Sequence, residues 1–133
     1  MATKAKDIMS TLLTVARDDM SVEEAVKILV CQHITGMPVV NKKGEMVGVL
    51  SEYDIIREAS LVKSLSKGYL KQKIRFSEKV DAVDEDTPLP AIIRRFVKHK
   101  FRRLPVLDKK RRLVGIISRR DVIRLIYYRA KVR

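Results

Sequence analysis

Residues 37–57 align without a gap on residues 104–124, a constant offset of 67 (104 against 37), and ten of the 21 positions are identical. The identical set includes Pro38 and Pro105, Gly48 and Gly115, Ser51 and Ser118, Asp54 and Asp121. A chain that carries one unit twice is built from two similar modules, and a module of roughly 60 residues buries little surface alone. The 133 residues therefore predict two repeats that share a core: 1–66, with a connector, and 67–133.

Each repeat begins with the same helical signature. Val22, Ala25, Val26, Leu29 and Val30 recur at i, i+3, i+4, i+7 and i+8, and Leu89, Ile92, Ile93, Phe96 and Val97 repeat that stripe; apolar residues at this spacing share one helix face. Ser21 with Glu24 predicts a capping box, and Thr87 followed by Pro88 predicts an N-cap and a first helical residue. Residues 37–40 and 46–50 predict two antiparallel strands around the turn Asn41-Lys42-Lys43-Gly44. Residues 104–107 and 113–117 repeat them around Asp108-Lys109-Lys110-Arg111. Ser51 and Ser118 occupy N-cap positions for second helices that run to about Leu61 and Tyr128. Leading strands are expected near 13–16 and 80–83, and 63–68 reads as a connector in which Gly68 takes the positive φ of a turn. The order is strand, helix, strand, strand, helix, twice over, an α+β fold.

Composition narrows the functional classes. At 46% hydrophobic and 34% charged, the chain is an ordinary globular protein. One cysteine allows no internal disulfide framework, which fits a reducing cytosol. The first residues lack the apolar core of a signal peptide, and no apolar run approaches the roughly 20 residues of a membrane span. Asn41, Gln32 and Gln72 are the whole amide inventory, a depletion that resembles thermophile usage. Charge is divided unevenly: residues 1–66 carry 8 Lys/Arg against 9 Asp/Glu and residues 67–133 carry 21 against 7, so −1 and +14 make up the +13 of the chain. The basic half has clusters at Arg94-Arg95, Arg102-Arg103, 109–112 and 129–133 that can attract polyphosphates, nucleic acid or an acidic protein. Three Phe and four Tyr are too few for a platform that stacks single strands.

Catalysis finds little to work with. His33 and His99 fall at non-equivalent positions near the ends of the first helices, where imidazoles cap or solvate a C-terminus. Cys31 lies off the apolar stripe and reads as an inert, partly buried thiol. No phosphate-binding Gly-x-x-x-x-Gly-Lys-Ser/Thr loop, Gly-x-Gly-x-x-Gly or Cys/His set with zinc spacing is present. The expectation is a protein that is not an enzyme and requires neither cofactor nor metal.

The segments Val47-Gly48-Val49-Leu50-Ser51-Glu52-Tyr53-Asp54 and Val114-Gly115-Ile116-Ile117-Ser118-Arg119-Arg120-Asp121, each preceded by a hydrophobic-Pro-Val strand, closely resemble the cystathionine-β-synthase (CBS) domain family, and the resemblance runs from about Ala5 to about Tyr128. It implies a stand-alone tandem pair, or Bateman module. The two repeats would pack sheet to sheet about a pseudo-two-fold axis, and pairs would associate into a homodimer. The family binds adenosine-containing ligands (AMP, ADP, ATP, NAD or S-adenosylmethionine) to regulate an associated protein.

Side-chain chemistry fits that ligand class. A carboxylate one turn inside a helix accepts from both ribose hydroxyls, the serine three residues earlier offers a hydroxyl and helix N-terminal amides to phosphate, and Val49, Ile116, Met37 and Leu104 offer apolar walls to a purine. Ser-x-x-Asp at a helix start is equally a cap that needs no ligand. The resemblance further implies crossed clefts. One would combine Val49, Ser51 and Asp54 with Val83, Arg102, Arg103 and Leu104; the other would combine Ile116, Ser118 and Asp121 with Thr14, Val15, Thr35, Gly36 and Met37. Arg102 and Arg103 favour the first cleft for a phosphate-rich nucleotide. The expected partners are an adenine nucleotide, a regulated protein and a second copy of the chain. A nucleic acid on the basic repeat, or a ligand-free structural adaptor, is the alternative.

Overall fold

The computed structural model describes residues 3–62 and 65–132. Its elements are α1 (Ala5–Ile8), β1 (Ala16–Arg17), α2 (Val22–Cys31), β2 (Gly36–Val40), β3 (Met46–Ser51), α3 (Glu52–Leu61), α4 (Lys67–Lys71), β4 (Val83–Asp84), α5 (Leu89–His99), β5 (Arg103–Leu107), β6 (Leu113–Ser118) and α6 (Arg119–Val132). Among the described residues they form two three-stranded sheets, β1-β2-β3 and β4-β5-β6, each with a parallel first pair and an antiparallel second pair. The duplication extends to irregularities: the ladders slip at Val39/Val40 and at Val106/Leu107. The fold is α+β, as the sequence predicts.

Division in space differs from division in sequence. Thr14–Val80 is one compact unit; the chain up to Leu13 joins the part from Asp81 onward in the other. Each repeat therefore lends its leading segment to the unit that holds the body of the other.

In the Thr14–Val80 unit, α2 starts on its capping box, with Ser21 Oγ accepting from the Glu24 amide at 3.1 Å and Glu24 Oε1 accepting from the Ser21 amide at 3.4 Å. Val22, Ala25 and Leu29 are buried with Ala16, Met37, Val39, Leu50, Tyr69 and Ile74. Val30 is 64% exposed and its counterpart Val97 74%, contrary to the stripe, because eight residues of helix carry Val30 about 80° round from Val22. Both helices then turn out through the left-handed region, at His33 (φ 54°) and Lys100 (φ 53°). Cys31 is exposed rather than partly buried, since it ends α2 on the outer side. Gly68 lies inside α4 and makes no turn; Tyr69, one residue on, donates its hydroxyl to the Ile55 carbonyl at 3.1 Å. Lys63 and Ser64 of the expected connector lie outside the described residues.

The leading strands are shorter and later than expected. Pairing with the buried Val39 and Val106 selects Ala16 and Val83 as partners, so only 16–17 and 83–84 enter the sheets. Thr87 is not the N-cap of α5: Pro88 is, and the Thr87 hydroxyl instead accepts from the Asp84 amide at 3.0 Å, closing the preceding turn.

The second unit is centred on Ala5, Val83, Ile92, Leu104, Val106, Ile117 and Val122. Ala5 and Lys6 donate their amides to the Thr87 and Glu85 carbonyls, both at 2.9 Å. Lys4 and Lys6 reach Asp86 at 3.7 and 3.2 Å, and this contact raises the Lys6 ammonium pKa and lowers that of the Asp86 carboxyl. Ser10 then exchanges both backbone hydrogen bonds with Ile116 (2.8 and 3.0 Å), as Ser77 does with Val49 in the other unit (3.0 and 2.9 Å). These leaders cover β6 and β3, which would otherwise be open sheet edges. They also lie close to glycine: a Cβ on Gly48 would overlap the Ser77 carbonyl and stand 2.7 Å from Phe76 Cδ2, and one on Gly115 would overlap Met9 Sδ.

The hairpin turns offer a test. Gly44 (φ 81°) and its counterpart Arg111 (φ 65°) are both left-handed, and the arginine pays a steric cost that glycine does not. Arg111→Gly is expected to stabilise the protein by about 0.5 kcal/mol once glycine's extra chain entropy is offset, seen as a higher urea midpoint. A lower midpoint would mean that the Arg111 side chain contributes more than its backbone costs.

Candidate functional site

The Ser-x-x-Asp motifs fold as the strand-to-helix junctions β3–α3 and β6–α6. Ser51 ends its strand in extended geometry, and Asp54, one turn into α3, returns to it: Asp54 Oδ2 accepts from the Ser51 amide at 2.8 Å and the Ser51 hydroxyl at 3.0 Å, while Ser51 Oγ accepts from the Asp54 amide at 3.3 Å. Asp121 Oδ2 likewise accepts from the Ser118 amide at 2.8 Å, and Ser118 Oγ from the Asp121 amide at 3.2 Å. Both motifs are thus capping boxes. Capping does not exhaust them, because a carboxylate has about four acceptor positions. Asp54 Oδ1 has Arg57 at 3.6 Å and Asp121 Oδ1 has Arg124 at 3.8 Å, distances at which each oxygen retains acceptor capacity. The Asp54 side chain is 9% exposed and that of Asp121 22%.

Within each unit the start of the middle strand lies beside its own motif. Gly36 registers with Ser51 and Met37 with Leu50; Arg103 registers with Ser118 and Leu104 with Ile117. The Glu52 amide donates to the Thr35 carbonyl at 2.9 Å and the Arg119 amide to the Arg102 carbonyl at 3.2 Å. In α3 the first amide serves Thr35 and the third serves Ser51, leaving Tyr53's among the first three.

The apolar positions also separate. Val49 and Ile116 are partly exposed, as are Thr14 and Val15. Met37 (3% exposed), Val83 (6%) and Leu104 (0%) belong to the cores. Arg102 and Arg103 are exposed.

Three participants were missed from sequence. Ser10 and Ser77 lie against Ile116 and Val49, and their common offset, together with Met9 and Phe76, is the signal that could have found them. Arg119 is the third. Its Nε and Nη2 donate to the Phe101 and Lys100 carbonyls, both at 2.6 Å, pinning the turn that presents Arg102 and Arg103; the corresponding residue, Glu52, has the opposite charge. Among the described residues no group of three or more His, Cys, Asp or Glu is placed to hold a metal.

Comparison with known proteins bears on this geometry. The CBS domain family profile matches residues 5–61 and 73–128. A homoserine O-acetyltransferase of Methanococcoides burtonii is 31% identical over 124 residues, which is 93% of this chain but 24% of that enzyme; the chain thus spans about a quarter of that relative. Two solved structures are similar over nearly their whole length. CBSX2, a protein of Arabidopsis thaliana solved in complex with AMP, has 33% identity and a TM-score of 0.75 over 94% of this chain and 96% of that one. The CBS domain pair of protein MJ0100, solved with 5′-methylthioadenosine and S-adenosyl-L-methionine, has 29% identity and a TM-score of 0.69 over 97% and 99%.

Proposed function

The chain belongs to the CBS domain family and carries two such domains in tandem, and from that premise we propose that it is a regulatory module that binds an adenosine-containing nucleotide of the AMP, ADP or ATP class. It passes that state to a separate protein and has no chemistry of its own. The observation that best supports this is the spare oxygen of Asp54 and of Asp121: the cap occupies Oδ2, and Oδ1 can accept from ribose hydroxyls. The AMP complex of CBSX2 supports the ligand class. The ligands of the MJ0100 pair share the adenosine part and carry no phosphate, so the phosphate end must be argued from this chain's own residues. Arg102 and Arg103, adjacent and exposed, suit bidentate charge-assisted bonds to phosphate oxygens. For the partner to respond, the ligand must bind one conformational state better than another. Among the described residues no helix is long and apolar enough to cross a membrane, and the reading puts the module in the cytosol.

Calorimetric titration with AMP, ADP, ATP, NAD, S-adenosylmethionine and adenosine tests it. Replacing Arg102 and Arg103 by Ala is expected to weaken ATP or ADP by about tenfold or more while adenosine changes little, because only charged-group hydrogen bonds to phosphate are lost. Replacing 109–112 should leave nucleotide affinity nearly intact. Equal losses for adenosine and ATP would sink the assignment of these arginines, and absence of binding by every ligand would sink the nucleotide reading.

The same reading includes a homodimer. On α3 and α6, Ile55, Ala59 and Val122 pack inward, whereas Ile56 is 67% exposed, its counterpart Ile123 65%, and Ile126 and Tyr127 more than half. A second copy is the occupant that would cover such matched patches. Light scattering should give about twice 15.3 kDa, and Ile123→Glu should halve it; a wild-type monomer at tens of micromolar would count against the dimer.

A further inference from the structure

A cavity of about 500 Å³ lies on the outer side of α5, beside the start of β4, with Ala82, Asp84, Thr87, Arg94, Arg95 and Lys98 in its walls. Arg94 and Lys98 are exposed, and their side chains make no hydrogen bond or ion pair among the described residues. Arg95 is half-buried. Its Nη1 donates to the Ala82 carbonyl at a long 3.3 Å, and its Nε–H is buried with no hydrogen-bond partner among the described residues. A guanidinium has five donors, and a buried donor left unpaired is costly enough to call for an explanation. The other copy shows that the scaffold does not require this arrangement: the residues 67 positions earlier are Lys27, Ile28 and Cys31, and Ile28 packs against its unit's core.

We propose that this cavity is a binding site for a phosphomonoester dianion, either inorganic phosphate or the terminal phosphate of a small metabolite. Three cations against Asp84 leave a local charge of +2, which matches the charge of about −1.5 to −2 that a phosphomonoester carries near neutral pH. A backbone phosphodiester carries one negative charge and is the poorer match. Arg95 exchanges its long bond to Ala82 for a bidentate pair that includes the idle Nε–H, with Arg94 and Lys98 as flanking charges. The site involves neither Ser-x-x-Asp motif nor Arg102 and Arg103, so it stands independently of the nucleotide reading.

The test is a titration of the whole chain with inorganic phosphate and with pyrophosphate at constant ionic strength, followed by amide chemical shifts. Saturable shifts centred on Ala82, Ala91 and Arg95 are expected. Arg95→Ile, which installs the residue of the other copy, should weaken both probes by about tenfold or more. Arg94→Ala and Lys98→Ala, both at exposed positions, should each weaken them by a smaller factor and keep the test alive if Arg95→Ile does not fold. Arg102→Ala with Arg103→Ala should leave both affinities unchanged. No saturation up to about 10 mM phosphate, or a loss confined to the Arg102/Arg103 variant, would overturn the site. So would duplex DNA that displaces both probes from these residues with a steep salt dependence, since the surface would then be a general polyanion face.

Discussion

Gly48→Ala is expected to cost about 3 kcal/mol or more, the upper end of what overpacking a tight interior usually costs. Its counterpart Gly115→Ala should cost distinctly less. The two glycines are equivalent in sequence, but different atoms oppose them. Behind Gly48 are the Ser77 carbonyl, part of a backbone hydrogen-bonded to Val49 on both sides, and the Phe76 ring. Behind Gly115 the three nearest atoms are the Sδ, Cγ and Cβ of Met9, and the two closest of them, Sδ and Cγ, belong to an unbranched side chain that can turn aside. Combining each change with truncation of its neighbour separates the cases. Met9→Ala should recover much of the loss at Gly115, whereas Phe76→Ala should not rescue Gly48→Ala, because the carbonyl remains. Urea midpoints for the four variants decide it, and equal costs at both glycines would show that the leader at Ser77 yields as readily as a methionine.

Asp54→Ala should have two separable effects. Loss of the capping box costs stability, about 1 kcal/mol for a typical cap. Loss of an ionised acceptor for ribose weakens adenosine and adenine nucleotides by about tenfold or more where that motif is occupied. Asp54→Asn distinguishes the effects, since an amide oxygen can still accept from the Ser51 amide but with no charge behind it: stability should largely return while affinity should not. Asp121→Ala and Asp121→Asn repeat the comparison at a more exposed carboxylate. If neither aspartate, singly or together, changes the affinity for adenosine, ribose recognition lies elsewhere and these motifs are caps alone.

The sequence was most readable where local chemistry decides local structure. Ser21 with Glu24, Ser51 with Asp54 and Ser118 with Asp121 close as capping boxes because the partners are three residues apart and no distant group competes. It misled where a distant partner outbid a local preference. Thr87 has the composition of an N-cap, yet its oxygen serves Asp84; residues 13–15 are as strand-like as Ala16, yet the parallel register with Val39 begins only at Ala16. The same holds at the site. The motif residues and arginines could be named in advance, but the spending of the Glu52 amide on Thr35 and the withdrawal of Met37 and Leu104 into the cores depend on strand register, which a single sequence leaves open. The leader exchange was least readable, since it matches Ser10 to a partner 106 residues away (116 − 10).

That exchange imposes an order on synthesis. The Thr14–Val80 unit is contiguous, so its Ser77 edge for β3 is available once Val80 has left the ribosome. The leader that holds Ser10 is made well before β6, its partner, and in the interval it is an unpaired strand. It is also closely similar in design to the segment already seated on β3, with Ser10 where the other has Ser77 and Met9 where it has Phe76. What distinguishes the native segment at that edge is the bulkier Phe76 over Gly48. On a crowded polysome the waiting strand could instead find β6 of a neighbouring chain, producing an interlocked pair with every native hydrogen bond intact and only the connectivity changed.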